Sequence, residues 1–122
     1  MTKIRRIDPG PRLSEALVCG DRLYTSGLVA DDAVGPSVYL QTKDILRQID
    51  SLLRDNGTSK TGILKANIWL ADIGSFEDMN KAWDEWVTPG QAPVRATVES
   101  KLADPMYKVE IMFEALIGQE TA

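Results

Sequence analysis

The sequence predicts an α+β two-layer sandwich, a mixed sheet with two helices on one face in the order β-β-α-β-α-β-β. Three observations predict it. Residues 38–55 carry an apolar stripe at helical spacing. Residues 75–87 carry a second. Five short runs around them alternate between apolar and polar residues or are rich in β-branched and aromatic ones.

Taken in order, "EALVC" and "RLYTSGLVA" read as two strands joined by a tight turn at Gly20 and Asp21. The loop "DDAVGPS" follows, broken by Gly35 and Pro36. In the first helix Val38, Thr42, Ile45, Ile49, Leu52 and Leu53 share a face, Leu46 widens it, and Asn56-Gly57 ends it with a left-handed cap. "ILKANIWLADI" is the third strand, with Ala66, Ile68 and Leu70 on one side and Trp69 on the other. Ser75 with Asp78 predicts the N-terminus of the second helix, whose apolar face is Phe76, Met79, Trp83, Trp86 and Val87. "TPGQAP" stops it. "VRATVES" and "YKVEIMFEALI" are the last strands, and the short "LADPM" between them predicts an antiparallel hairpin. Val94, Ala96 and Val98 are then expected to face the helices. Arg95, Thr97, Glu99, Lys108, Glu110 and Glu114 are expected on the opposite face.

The 122 residues suit one domain, 1–122. With 43% hydrophobic and 26% charged residues, a real core can form. The net charge of -4 and the lack of any basic run argue against nonspecific binding to nucleic acid or an anionic membrane. No stretch approaches the roughly 20 apolar residues of a membrane span, and the N-terminus lacks the apolar core of a signal peptide. A single cysteine, Cys19, rules out an intrachain disulfide and is read as an inert thiol in an apolar strand. A reducing compartment, the cytoplasm, is the expected setting.

There is no histidine. Ser-His-Asp and Cys-His catalysis and the usual zinc sites are therefore excluded. A P-loop and a G-x-G-x-x-G are also absent. Chemistry falls to carboxylates, hydroxyls, Lys, Arg and the backbone. On the expected hairpin, Arg95 and Glu110 come within cross-strand reach on one polar face. Spacing alone leaves two readings. One is a solvated ion pair worth about 0–1 kcal/mol. The other is a carboxylate clamp, Arg95, beside a water-orienting glutamate, Glu110. Trp83 and Trp86 read as core, and Trp69 as exposed or facing a partner.

The stretch "APVRATVESKLADPMYKVEI" resembles the C-terminal signature of the RidA family, also called YjgF-like or L-PSP: Pro93, a small residue, Arg95, a small residue, then Val109, Glu110 and Ile111. "LYTSGLVADD" and "SFEDMNKAW" resemble its other motifs, and the match runs from about residue 13 to 117. The resemblance implies a chorismate-mutase-like fold and a homotrimer with clefts between subunits. It implies hydrolysis of enamine/imine intermediates, such as 2-aminoacrylate, to 2-oxo acids and ammonia, with no metal or cofactor. Carried over by position, Arg95 binds the substrate carboxylate, Glu110 positions the attacking water, Ser26, Gly27 and Asn80 line the cleft, and the backbone at Thr97 helps hold the carboxylate or carbonyl. The chain departs from the family at Leu13 for tyrosine, Glu15 for glutamine, Leu28 for glutamine and Thr97 for cysteine. A trimer that binds small carboxylates without catalysis is the alternative. An endoribonuclease is a third reading, against which the acidic balance and absent histidine count.

Overall fold

The computed structural model describes residues 3–118. Two helices cover one face of a six-stranded mixed sheet. The strands are β1 (Ile4–Pro9), β2 (Ser14–Cys19), β3 (Arg22–Thr25), β4 (Ile63–Leu70), β5 (Val94–Glu99) and β6 (Val109–Leu116), in the spatial order β1-β2-β3-β6-β4-β5. The helices are α1 (Val38–Asp55) and α2 (Phe76–Trp86).

β1 is an additional strand, paired antiparallel with β2. It carries no period-two signal because nearly all of it is exposed at the sheet edge, where charged residues such as Arg5 and Arg6 discourage further pairing. Gly20 makes the β2–β3 turn with φ 63°. The long second strand of the sequence reading stops at Thr25.

α1 has the predicted bounds. Ser37 caps it by accepting from the Leu40 N–H at 3.1 Å, and Gly57 closes it at φ 75°. Ile45, Leu46, Ile49 and Leu53 are buried against the sheet beside Ile68, Leu70, Val109 and Ile111, each worth roughly 1.5–3 kcal/mol of transfer free energy. Gln41 lies on the same stripe and is also buried. Its amide donates to the carbonyls of Gly35 and Met106 at 2.8 and 2.9 Å and accepts from the Lys108 N–H at 2.9 Å, latching two loops together.

Ser75 does not cap α2 with its side chain. Its hydroxyl instead donates to the Asp72 carbonyl at 2.6 Å, and Asp72 accepts from the Gly74 N–H, so the helix opens through a tight 73–75 turn. Trp83 is buried and packs on Trp86, whose indole donates to Asp50 of α1 at 3.0 Å. Both tryptophans are therefore helix-layer packing, as the sequence indicates.

The expected β5–β6 hairpin does not form. β4 lies between the two strands, parallel to β5 and antiparallel to β6. Ser100 N–H bonds the Leu70 carbonyl and Ala71 N–H bonds the Lys108 carbonyl, so the 100–108 connection passes over the end of β4. The facing of β5 is also reversed. Arg95 and Thr97 pair with Ala66 and Ile68, which are buried under the helices, so they share that face. Val94 and Val98 are 70% and 50% exposed on the other side.

Candidate active site

The Glu110 half of the site is built by a bulge. From Tyr24 to Leu28 the chain takes four steps while β6 takes three, from Glu114 to Ile111, so one extra residue is accommodated at Ser26-Gly27. Three interactions hold the bulge. The Thr25 hydroxyl accepts from the Phe113 N–H at 3.1 Å. The Ser26 N–H and hydroxyl both donate to the Glu15 carbonyl, at 2.9 and 3.2 Å. Leu28 and Ile111 then exchange backbone bonds at 2.8 and 3.0 Å, and the ladder resumes.

The Glu110 side chain occupies the space this creates. A Cβ placed on Gly27 would stand 2.7 Å from Glu110 Cδ, so the carboxylate rests on the bare glycine backbone. Glu110 is half-buried on the open face of the sheet, opposite Trp69. Among the described residues it has no ion-pair partner. Ser26 also lines an open surface groove of about 500 Å³ with Leu13, Leu17, Tyr24, Met112, Arg6 and Arg12, and Glu110 is not among the residues that line it.

The Arg95 half lies on the other side of the sheet. The guanidinium sits 5.1 Å from the Trp83 ring centre and 5.8 Å from that of Phe76, with Met79 Sδ at 3.9 Å. Burial pulls its pKa below the ordinary arginine range, an effect the nearby Asp84 charge partly offsets. No carboxylate pairs with it among the described residues. Two positions along, Thr97 Oγ is buried with no hydrogen-bond partner. Asn80 is half-buried on α2.

The cross-strand Arg95–Glu110 pair is thus corrected. The two residues lie on opposite faces with β4 between them. Gly27, Ser26 and Glu110 come together; Arg95 and Thr97 form a separate group beside α2. Trp69 is half-buried beside Glu110, and Cys19 is half-buried rather than enclosed. Sequence reading missed the Asp8–Glu15 pair. Glu15 is held above the usual carboxylate range by a hydrogen bond with Asp8, then by burial and by the repulsion of the Asp8 charge. It also missed Arg6 and Arg12. Gln41 had a signal, a polar residue on an apolar helical stripe.

Among the described residues there is no cluster of three or more potential metal ligands, and no helix is long and apolar enough to cross a membrane.

A mixed sheet covered by two helices on one face, with a glutamate on β6 seated against the glycine of a facing bulge and an arginine on an edge strand, is a small α+β protein of chorismate-mutase-like fold. The profile of the endoribonuclease L-PSP family matches residues 3–117, and the chain belongs to that RidA/YjgF-like family. It is 46% identical over 112 residues to a RutC family protein of Haemophilus influenzae, covering 92% of this chain and 97% of that one. A YjgF-family protein from Neisseria meningitidis superposes with TM-score 0.91 at 39% identity, covering 97% of this chain and 98% of the other. A more distant relative is the chloroplastic Reactive Intermediate Deaminase A of Arabidopsis thaliana, 25% identical over 80% of this chain and 54% of its own length.

Proposed function

We propose that the protein hydrolyses small reactive 2-imino acids and their enamine tautomers to 2-oxo acids and ammonia, at clefts formed between copies in a homotrimer. The observation that carries this reading is the separation of Arg95 and Glu110. One is a half-buried cation and the other a half-buried anion, each without a counter-ion among the described residues, on opposite faces of one sheet. Such groups are costly to leave unpaired. A neighbouring copy that presents its Arg95 to Glu110 makes a complete site.

Arg95 then grips the substrate carboxylate with its fork. Glu110 accepts a proton from a water as the water oxygen bonds to the imine carbon. The imine nitrogen takes a proton and becomes the amine of a carbinolamine. Return of a proton to that nitrogen and loss of one from the hydroxyl release ammonia and leave the 2-oxo acid. Imines already hydrolyse in water, so orientation and one base are sufficient help. A named deaminase among the relatives supports the reading.

The test is release of ammonia from imines generated in situ. Arg95→Ala and Glu110→Gln should each abolish acceleration. Co-expressing the two variants should restore about a quarter of the sites, because a random trimer then contains some clefts with both wild-type residues. A monomeric mass, or no recovery on co-assembly, refutes the composite site. A wild-type rate equal to the uncatalysed one refutes the deaminase.

A further inference from the structure

We propose that Phe76 and Trp83 are positioning residues for Arg95: their rings hold the guanidinium so that its fork stays free for a substrate carboxylate. The inference rests on the reading of Arg95 as the carboxylate clamp and adds what aims it.

Phe76, Met79 and Trp83 recur at i, i+3 and i+7 on α2 and form one stripe on the face that packs against the core. Arg95 meets this stripe because parallel pairing with the buried Ala66 puts it on the helix side of β5. Its Cζ lies over the Trp83 ring at 5.1 Å and over the Phe76 ring at 5.8 Å, both within cation–π reach. Such contacts strengthen where water is displaced. Here Arg95 and Phe76 are half-buried and Trp83 is buried.

No ion pair involves Arg95 among the described residues, and the acceptor beside its fork is the weak Met79 Sδ at 3.9 Å. The kind of partner matters. A carboxylate would occupy the fork and neutralise the charge. A ring face attracts the charge without taking up the fork's paired N–H donors. The rings therefore restrain a long side chain and leave its donors available. An arginine side chain carries large rotamer entropy, and ordering it on binding weakens affinity. Holding it in place beforehand reduces that loss. The rings thus act on ligand affinity through Arg95 and not on the chemical step. Trp83 also packs on Trp86, so its removal disturbs the helix layer. Phe76, half-buried at the start of α2, gives the cleaner test.

The experiment is calorimetry with pyruvate, a 2-oxo acid that keeps the carboxylate and cannot be deaminated, beside imine deamination kinetics. Phe76→Leu keeps an apolar side chain and removes the ring. Its dissociation constant for pyruvate and its KM should rise about fivefold, with kcat within about twofold, because a clamp that holds ground and transition states alike acts on KM. Phe76→Tyr, which keeps a ring, should stay close to the wild type. Phenylalanines of increasing ring fluorination at position 76 keep the shape and weaken the negative ring face. Pyruvate affinity should fall along that series while the melting temperature does not track it. Affinity that is unchanged by ring removal, or flat along the fluorinated series, overturns the inference and leaves the clamp reading in place. If Arg95→Ala binds pyruvate as the wild type does, the clamp reading and the inference both fail. If no imine is deaminated yet pyruvate affinity follows Arg95 and the fluorinated series, the deaminase reading fails and the positioning role stands.

Discussion

Gly27→Ala separates the placement of Glu110 from the stability of the fold. The new Cβ would stand 2.7 Å from Glu110 Cδ and 3.1 Å from its Cγ. Ordinary carbon contacts lie near 3.5–4.0 Å, so the carboxylate must recede by about 1 Å. Gly27 is not among the residues with positive φ, and the obstructing atoms are the end of a flexible side chain rather than backbone. The backbone therefore accepts alanine without strain. Removing a glycine from the unfolded chain contributes roughly 0.4–1 kcal/mol of stability, which offsets the cost of moving Glu110. The melting temperature should stay close to that of the wild type. If Glu110 positions the water as proposed, activity should not, because a displacement of about 1 Å at such a group can cost on the order of 100-fold in kcat. The assay is imine deamination at saturating substrate, run beside thermal unfolding and a measurement of mass in solution. Gly27→Ala/Glu110→Gln should be no slower than Glu110→Gln alone, since both act through one carboxylate. A Gly27→Ala enzyme within about twofold of wild-type kcat would refute the claim that Glu110 works from this seat.

Two more substitutions test the surroundings. Thr97→Val removes a buried hydroxyl that has no partner among the described residues and keeps the side-chain shape. It should stabilise by about 1 kcal/mol, a rise of several degrees in Tm; a fall in Tm would show that Oγ gains a partner on assembly. Glu15→Gln tests the Asp8–Glu15 pair. The pKa of Glu15 is raised in the fold, so the folded state holds its proton after the unfolded chain, near 4.5, has lost it. Stability therefore falls as pH rises from 4.5 through the raised value. The variant should lose that slope, match the wild type at acidic pH and exceed it at neutral pH in denaturant unfolding. A pH profile parallel to that of the wild type would refute the coupling.

The legible and illegible parts of this fold differ by what local sequence can encode. α1 was readable to the residue because its stripe is long and Gly57 must take positive φ. β1 was not, because an exposed edge strand has no buried face to impose alternation. In "VRATVES" the period of two was real, but a period does not say which set of side chains turns inward. That choice was made by parallel pairing with Ala66 and Ile68 on β4, a strand far away in sequence. The hairpin failed for the same reason, since insertion of β4 between two consecutive strands leaves no trace in either of them. The candidate site divides along this line too. Glu110 and Gly27 meet through a bulge that no spacing rule reveals, so only the family resemblance linked them. The error at β5 is itself informative. Strands normally bury their valines and expose their arginines, and β5 does the reverse at its sheet edge. Sequences break local rules where assembly or function requires it. A protomer that exposes Val94, Val98 and Met112 and half-buries an Arg95 unpaired among the described residues carries a surface suited to a second copy of itself. The inverted strand, more than the charge pair first read from the sequence, is the strongest argument that the site is shared between chains.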